Sequence, residues 1–583
     1  MQWKRKLMLT SSLMLLSPMT WADQVTDSVA PEQSSGLEHK TLVKAKDWMV
    51  TAANPIAARA GANILKQGGN AIDAMVAVQF MLGLVEPQSS GIGGGAFMVY
   101  WDAKNQDLTT FDGRETAPMA VTPRLFQNDD GEPLSFYDAV VGGRSVGTPG
   151  TVKLMWETHQ KYGKLAWERL LEPAIQAAEQ GFIVSPRLAS LIAEDGERLR
   201  RYPGTLNYFF DKDGLPLQAG ALLKNPQYAQ TLTAIAKQGA NAFYQGEISK
   251  DIIETVQNAQ GNPGVLAQRD MDNYEIKQRP VVCSSYQGYD VCGMGPPSSG
   301  GLTVGQILAL TEPYDLKKWG PKDARSWQVI GDASRLAFAD RGQYMADEDF
   351  VPMPTQGLLD EGYLADRARL IKVGQALKEA KPGHPPWNHA RIQSADESIE
   401  LPCTSHFNIV DRDGNVVSIT TTIENQFGSR LMVRGFLLNN ELTDFSFRTH
   451  NKGVPIANRI EPGKRPRSSM APTIVMKDDQ PYLAIGSPGG SRIIGYVAQA
   501  IIAHTQWGMD IQQALNMPHV LNRFGDMDIE QGTDAEQLEA PLTKMGFKVN
   551  VRDLNSGLHA IRITSQSLEG AADPRREGVA IGQ

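Results

Sequence analysis

The chain has 583 residues and a formal net charge of −8, with 41% hydrophobic and 21% charged residues. Its length exceeds that of one ordinary domain and predicts either two domains or one large fold divided into two pieces. The composition is typical of a soluble globular protein. Because nucleic acids and anionic membrane surfaces bind clustered basic residues, the acidic balance disfavours both as main partners and leaves small molecules and peptides.

The first 22 residues have the pattern of a targeting segment. Residues 4–6 are basic, residues 7–19 form an interrupted apolar stretch, and residues 20–22 have the small-residue pattern of a signal-peptide cleavage site. A membrane anchor is the weaker interpretation, because the apolar run is shorter than the roughly 20 residues that span a bilayer. No cysteine lies near the cut, so a lipid anchor is not expected. The sequence therefore predicts a signal peptide over residues 1–22 and a periplasmic or secreted protein without a membrane anchor.

Glycine turns separate the first predicted helices from the first predicted strand. Asn54 and Pro55 form a helix cap and a first-turn proline ahead of a helix over residues 56–66. The next helix, from residue 71 to about 84, is apolar around most of its circumference and is expected to be buried between layers. A glycine-rich turn over residues 90–97 leads into a strand. Because this turn runs from helix to strand, it predicts close backbone packing under an active site rather than a nucleotide site.

The rest of the chain changes from helices to short strands. Residues 147–259 are predicted to be mainly helical, and further helices are predicted over residues 306–310, 332–340 and 493–505. After residue 404, apolar segments bounded by turns predict strands over residues 407–410, 416–422, 436–438, 473–476 and 482–485. Strand hairpins followed by helices indicate an α+β fold.

Two of the three cysteines bracket a predicted hairpin. A two-residue turn at Gln287 and Gly288 would place Cys283 and Cys292 directly opposite each other, at a non-hydrogen-bonded pair where strands approach most closely. A disulfide could form there after export. Two small buried thiols are the alternative, and the sequence leaves both open. Cys403 has no partner in this scheme.

A threonine, Thr404, begins a predicted strand. Its hydroxyl is a poor nucleophile unless a base takes its proton. If the bond between Cys403 and Thr404 breaks, the new α-amino group lies within reach of that hydroxyl, and its ordinary pKa of about 7.7–8.0 suits proton transfer near neutral pH. Without further context, a threonine at this position is an ordinary strand residue, because strands favour β-branched side chains.

The surroundings of Thr404 supply that context. The chain contains LPCTSHF at residues 401–407, NNELTDFS at 439–446, KRPRSSM at 464–470 and GSPGGSRII at 486–494. Together these segments resemble the γ-glutamyltransferase family of self-cleaving N-terminal nucleophile hydrolases, and the resemblance extends from about residue 41 onward. It implies the four-layer αββα sandwich of that family, with no metal or organic cofactor.

The resemblance also implies self-cleavage between Cys403 and Thr404. A large chain, residues 23–403, and a small catalytic chain, residues 404–583, would then remain together as a heterodimer. Thr404 would be the nucleophile. Thr422 matches the threonine that hydrogen-bonds to the nucleophile and keeps it oriented.

Gly489 and Gly490 match the oxyanion hole of the family. Residues without side chains allow two backbone N–H groups to approach the reacting oxygen, and the helix that follows adds its N-terminal dipole. Outside this context, a Gly-Gly pair is an ordinary tight turn.

Six residues match the site that binds the γ-glutamyl group. A planar arginine fork suits a carboxylate, and buried acids compensate the desolvation of a substrate ammonium group. The resemblance assigns the substrate α-carboxylate to Arg114, Ser468 and Ser469, and the α-ammonium group to Glu424, Glu441 and Asp444.

Two features depart from the family's pattern. Arg467 replaces an apolar residue within the KRPxSSM motif and adds a cation next to the two serines. Residues 446–463 form a segment shorter than the lid loop of lidded relatives and longer than that of lidless ones. Acceptor access and the balance between hydrolysis and transfer therefore stay undecided.

The resemblance implies an enzyme that takes γ-glutamyl groups from glutathione or related amides. A γ-glutamyl ester would form on Thr404, and the group would pass to water or to an amino acid or dipeptide acceptor. Two alternatives remain, a cephalosporin acylase-like amidase and an uncleaved protein that binds γ-glutamyl peptides. The acylase is disfavoured by the presence of Arg114, Ser468, Ser469 and Asp444, whereas an intact purified chain would favour the binding protein.

Overall fold

Two seven-stranded sheets, stacked face to face, form the centre of the structure, a computed structural model that describes residues 36–389, 392–396, 398 and 403–583. The strands of both sheets are antiparallel to their neighbours. In spatial order, the first sheet contains Val43–Ala45, Leu568–Ala572, His559–Ile563, Gln480–Gly486, Thr473–Lys477, Tyr289–Met294 and Val281–Tyr286. The second sheet contains Val579–Gly582, Met49–Ala52, Thr404–Val410, Val416–Thr422, Gly95–Asp102, Asp107–Gly113 and Lys277–Arg279.

Helices cover the outer face of each sheet. Pro55–Lys66 and Ala71–Val85 pack on the second sheet, and Gly300–Thr311 and Ile493–Thr505 pack on the first. Ala71–Val85 is buried along its whole length, as its apolar circumference predicts, because other helices cover its far side. The order of helix layer, sheet, sheet and helix layer confirms the predicted αββα sandwich.

The remaining elements are mainly helical between residues 147 and 259, as predicted. Further helices are Phe136–Val140, Thr151–Tyr162, Trp167–Gln180, Pro186–Glu194, Gly196–Leu199, Pro203–Phe209, Pro226–Gln238, Asn241–Tyr244, Glu247–Gln257, Gln268–Asp272, Leu316–Trp319, Ala324–Tyr344, Glu361–Ala368, Ile511–Asn516 and Glu539–Met545. A smaller sheet contains Val520–Asn522, Met527–Glu530 and Val549–Arg552. Within the described ranges, no helix is both long and apolar enough to cross a membrane. The predicted signal peptide, residues 1–22, lies outside those ranges.

The strands Thr404–Val410 and Val416–Thr422 form the hairpin on which the candidate site is built. The Asp411 carboxylate closes its turn by accepting two backbone N–H groups, each at 2.9 Å. Both strands are buried throughout. Alternate side chains point to opposite faces, so that Ile409 packs against the helix layer while Val410 packs between the two sheets.

Cys283 and Cys292 lie directly opposite each other on the hairpin of Val281–Tyr286 and Tyr289–Met294. The turn residues between the two strands have φ angles of 53° and 80°, as a two-residue type I′ turn requires. The two sulfur atoms are bonded to each other.

Loss of this disulfide is expected to lower the free energy of unfolding moderately. The bond joins residues only 9 positions apart, and the entropy of so short a loop corresponds to about 2–3 kcal/mol. Chemical denaturation of the wild type, with and without reductant, and of the double variant Cys283→Ser/Cys292→Ser measures the effect. Equal denaturation midpoints in all three samples would contradict a stabilising bond.

Candidate active site

Thr404 and Thr422 face each other across the central hairpin. They are direct cross-strand partners, and Thr404 Oγ1 donates a hydrogen bond to Thr422 Oγ1 at 3.3 Å. Their exposed fractions are only 4% and 3%. The Thr422 hydroxyl therefore fixes the direction of the Thr404 hydroxyl in a buried position.

The Thr422 hydroxyl also reaches the peptide bond that precedes Thr404. It donates a hydrogen bond to the Cys403 carbonyl oxygen at 3.0 Å and accepts one from the Glu424 backbone N–H at 2.8 Å. Because a hydroxyl can donate only one proton, the two hydrogen bonds share one direction of donation. Thr404 donates to Thr422, and Thr422 donates to the Cys403 carbonyl oxygen. The arrangement polarises this carbonyl and orients the next residue's hydroxyl at the same time.

Glycines bring two loops close to these threonines. A Cβ atom at Gly94 would lie 2.0 Å from the Thr422 carbonyl oxygen, which explains the close packing predicted for this turn. Gly489 has a φ of 135°, and a Cβ there would lie 2.8 Å from the Tyr496 ring. Gly490 follows and lines the same cavity as Thr404. The Gly-Gly turn therefore brings backbone to the edge of the site.

Arg114 lies in the same cavity and is bonded to two acids. Its guanidinium donates to Glu441 and, at 2.5 Å, to Asp444. It also donates to the carbonyl oxygens of Pro466 and Arg467 at 3.2 and 2.9 Å. Burial alone would lower the pKa of Arg114, but the two carboxylates raise it above its ordinary value. Arg114, assigned to the substrate carboxylate, thus pairs in the structure with two acids assigned to the substrate ammonium group.

Glu115, which the sequence analysis did not assign to the site, is buried beside this group. Its side chain is fully buried, and burial, followed by the nearby Glu441 carboxylate, raises the pKa of Glu115 well above its ordinary range. Its position directly after Arg114 is the only sign in the sequence that Glu115 lies beside the site.

A second arginine holds the serine pair. Arg341, in the helix Ala324–Tyr344, donates to Ser469 Oγ at 2.7 Å and to Ser299 Oγ at 2.8 Å. The Ser468 carbonyl oxygen accepts both the backbone N–H and the hydroxyl of Ser299, each at 2.8 Å. The sequence prediction ended this helix at residue 340 and so missed the arginine, which lies within its last turn.

Glu424 contributes a third acid to the cavity wall. It receives a hydrogen bond from the Asn440 side chain. Its φ of 76° lies in the left-handed region, which is uncommon for residues with a side chain. Such conformations persist where the surrounding structure holds them in place, often at functional sites.

The unusual Arg467 pairs with an acid that lies before Thr404 in the chain. Its Nη2 lies 2.9 Å from Asp396 Oδ2 and donates to Ser398 Oγ at 3.2 Å. The Asn458 side chain donates to Asp396 at 2.9 Å and to the Asp444 carbonyl oxygen at 2.7 Å. The added cation is therefore compensated, and its contacts link Asp396 and Ser398, which precede Thr404, to the edge of the site.

One small cavity brings the predicted residues together. It is lined by Arg114, Thr404, Thr422, Glu424, Glu441, Asp444, Ser468, Ser469 and Gly490, together with Met470 and Ile493. Gly489 is not part of the lining and adjoins it through Gly490. Residues 446–463 contribute a short hairpin, His450–Asn451 with Val454–Pro455, and no lining residue. In the part of the chain that the structure describes, no group of three or more His, Cys, Asp or Glu side chains is placed to hold a metal ion.

Comparisons with known proteins identify the relatives of the chain. The family model for gamma-glutamyltranspeptidase matches residues 57–583. The chain is 39% identical over 561 residues to the glutathione hydrolase proenzyme of Bacillus subtilis, covering 94% of this chain and 93% of that protein. It is 35% identical over 563 residues to the glutathione hydrolase proenzyme of Escherichia coli, covering 94% of each.

Solved structures give the same relationship. The crystal structure of cephalosporin acylase from Bacillus halodurans has a TM-score of 0.83 to this structure at 26% sequence identity, covering 95% of this chain and 99% of that one. Because one family model matches residues 57–583 and the two proenzymes each cover 94% of the chain at 35% identity or more, the chain belongs to the gamma-glutamyltranspeptidase family.

Proposed function

We propose that the chain is a self-processing γ-glutamyltransferase and glutathione hydrolase whose nucleophile is Thr404. One observation carries the proposal. A cavity holds Thr404, which is hydrogen-bonded to Thr422, beside Arg114 and its two acidic partners, Glu441 and Asp444. A reacting hydroxyl and a charged anchor for a zwitterionic acyl group are what the reaction needs in one place. The glutathione hydrolase proenzymes among the relatives support the same activity.

The first reaction is self-cleavage. Thr404 Oγ1 attacks the Cys403 carbonyl carbon, its proton passes to the Thr404 nitrogen, and the peptide C–N bond breaks to leave an ester. Water then hydrolyses the ester and leaves a carboxylate on Cys403 and a free hydroxyl and amine on Thr404. During the attack, the Thr422 hydroxyl donates to the oxygen on which negative charge develops.

The two products are expected to stay together as a heterodimer of residues 23–403 and 404–583. The strand Thr404–Val410 pairs on one side with Met49–Ala52, which belongs to the large chain. On the other side, Val416–Thr422 pairs with Gly95–Asp102, also of the large chain. Separation would break a buried sheet on both sides of the hairpin.

In the mature enzyme, the Thr404 α-amino group serves as the base for its own hydroxyl. The hydroxyl attacks the γ-carbonyl carbon of the donor, and the oxyanion accepts backbone N–H groups at Gly489 and Gly490. The departing amine takes the proton, and a γ-glutamyl ester remains on Thr404. Water, or the amine of an amino acid or dipeptide, then attacks this ester and restores the free hydroxyl.

The donor's two charges would exchange partners with an existing ion pair. Its α-carboxylate would meet Arg114, Ser468 and Ser469, while its α-ammonium group would meet Glu424, Glu441 and Asp444. In the structure, Arg114 forms ion pairs with Glu441 and Asp444. A zwitterionic donor would offer a carboxylate to Arg114 and an ammonium group to the acids, so no buried charge would be left unpaired. An acyl group that lacks either charge leaves part of the pocket uncompensated, which gives selectivity.

A comparison of three donors with the same leaving group tests the proposal. We expect the purified wild type to hydrolyse a γ-glutamyl amide with a kcat/KM at least about 100-fold above that of a glutaryl amide, which lacks the amino group, or a 4-aminobutyryl amide, which lacks the carboxylate. Preference for the glutaryl amide would favour an acylase, the activity of the solved relative from Bacillus halodurans. An uncleaved chain that binds but does not turn over the γ-glutamyl amide would favour a binding protein.

Replacement of Thr422 by valine is expected to slow self-cleavage by about 100-fold, the effect of losing one donor to an oxyanion. Valine keeps the shape of threonine but cannot donate to the Cys403 carbonyl oxygen. Thr422→Ser keeps the hydroxyl and should cleave at a rate closer to wild type. A time course of chain cleavage during cell-free synthesis measures both, and equal rates for the valine and serine variants would contradict the role of this hydroxyl.

Residues 1–22 are proposed to direct export of the enzyme. The signal-peptide pattern of residues 1–22 supports removal of this segment and a periplasmic or secreted enzyme. N-terminal sequencing of the large chain purified from the periplasm or medium should then begin at Asp23. A large chain that keeps Met1 would contradict export by this route.

A further inference from the structure

The residues on either side of Thr404 point away from the cavity. Alternate side chains of a strand face opposite sides, and Phe407, two positions beyond Ser405, packs against the helix layer. Cys403 and Ser405 therefore lie on the helix side, whereas Thr404 lies on the side of the donor cavity. What holds these two flanking residues also sets the orientation of Thr404.

Both flanking side chains contact one buried loop, which follows the helix Ala71–Val85. Ser405 Oγ donates to Glu86 Oε2 at 2.9 Å, and Cys403 Sγ lies 3.8 Å from Ser89 Oγ, within hydrogen-bonding range for sulfur. The exposed fractions of Glu86 and Ser89 are 2% and 0%. The loop thus contacts the chain immediately before and immediately after the candidate nucleophile.

Arg187 joins these two contacts into one unit. Its Nη1 donates to Glu86 Oε1 at 3.0 Å, and its Nη2 donates to Ser89 Oγ at 3.1 Å. A guanidinium is planar and rigid, so a single arginine fixes the relative positions of the groups that contact Ser405 and Cys403. Its backbone N–H donates to Glu577 at 3.0 Å, which anchors this end of the helix Pro186–Glu194.

The same loop also holds the strand of the second threonine. The Ser89 carbonyl oxygen accepts the backbone N–H of Ile423, the residue after Thr422, at 3.3 Å. The Gln88 carbonyl oxygen accepts the Phe427 N–H at 3.0 Å. Both members of the threonine pair are therefore attached to one loop through their immediate neighbours.

We propose that Arg187 and Glu86 are positioning residues for the reactions of Thr404. Through Ser405 on one side and Ser89 with Cys403 on the other, they set the angle at which Thr404 Oγ1 faces first the Cys403 carbonyl and later the donor. The inference rests on the proposed function, since it takes Thr404 as the nucleophile. Neither Arg187 nor Glu86 lines the donor cavity, so they act on reaction rates and leave donor binding unchanged.

Stability alone is a weak reason for this ion pair. Well-packed apolar residues often replace a buried ion pair at no cost in stability, because taking two charges out of water offsets their attraction. Burial raises the pKa of Glu86, while Arg187 and Arg576 oppose that rise. A charged pair placed directly behind the nucleophile is better explained by the geometry that it imposes on Cys403 and Ser405.

The test compares Ser405→Thr with Ser405→Val. The two replacements have the same shape, so strain from the added methyl group is common to both, but only threonine can donate to Glu86. We expect the valine variant to cleave itself about 100-fold more slowly than the threonine variant, the scale of a misplaced reacting group, at a similar thermal midpoint. In the mature enzyme, the valine variant should lower kcat and leave KM for a γ-glutamyl amide unchanged.

A second pair of variants keeps the test independent of Ser405. Arg187→Met removes the arginine behind Thr404, and Arg335→Met removes the arginine of another buried ion pair, with Asp332 at 3.2 Å. The cleavage rate of folded precursor should fall for Arg187→Met and stay at the wild-type value for Arg335→Met. If Arg187→Met does not fold, the Ser405 pair decides the matter.

The outcomes separate this inference from the proposed function. A wild-type chain that is never cleaved overturns the role of Thr404 and, with it, the positioning role. A wild type that cleaves, with Ser405→Val as fast as Ser405→Thr, overturns the positioning role alone. If Ser405→Val raises KM by as much as it lowers kcat, the positioning role is also overturned, because the contacts would then shape the donor cavity.

Discussion

Replacement of Thr404 by alanine is expected to leave the precursor as one uncleaved chain and to lower γ-glutamyl amide turnover by at least about 10⁴-fold, as removal of a nucleophile does in other hydrolases. Alanine keeps the backbone but lacks the oxygen that must bond to the Cys403 carbonyl carbon. Without cleavage, the α-amino base is never released, so one substitution removes both nucleophile and base. Intact mass under denaturing conditions and an initial-rate assay measure the two effects.

The serine variant is the matched control. Thr404→Ser keeps a hydroxyl at the same position and loses only the methyl group, so it should still yield two chains, more slowly than wild type. Fragments that meet at residues 403 and 404 in the alanine variant would contradict the account, because cleavage would then not depend on this side chain.

The second large effect is expected at Arg114. We expect Arg114→Lys to reduce kcat/KM for a γ-glutamyl amide by about 100-fold, mainly through KM, because a lysine supplies charge without the two-pronged fork. The lysine still offers a cation to Glu441 and Asp444, which limits the loss of stability. Replacement by an apolar residue would leave buried acids uncompensated and cost about 3–5 kcal/mol of folding free energy.

Truncated donors show which charge each residue recognises. A 4-aminobutyryl amide has no α-carboxylate, so Arg114→Lys should change its turnover little. A glutaryl amide has no α-ammonium group, so Asp444→Asn should change its turnover little while reducing that of the γ-glutamyl amide. Equal losses for all three donors in either variant would contradict the assignment and indicate general disruption of the cavity.

Much of the fold follows from local patterns in the sequence. The cap at Asn54, the apolar circumference of residues 71–85 and the turn at Asp411 each use a rule that acts within a few residues, and each is present in the structure. The pairing of Thr404 with Thr422 across the hairpin could also be predicted from the sequence. Both lie nine residues from the centre of the turn at Asp413, so a symmetric hairpin places them opposite each other. One continuous strand over residues 404–422 would not bring them together.

The parts that the sequence did not predict depend on contacts between distant segments. Arg341 reaches Ser469 across 128 positions, and Arg187 reaches Glu86 across 101. An arginine on a helix is ordinarily a surface residue, so nothing local marks these two as buried. Arg467 shows the same limit, because its partner Asp396 lies in a distant part of the chain that only folding brings to it.

The mass of the small chain from the purified wild type, before and after acid quenching during turnover of a γ-glutamyl amide, shows whether Thr404 carries the acyl group. We expect a chain that begins Thr404-Ser405-His406 and gains one γ-glutamyl group, located on Thr404 by fragmentation. A single intact chain, or a γ-glutamyl group on another residue, would contradict it.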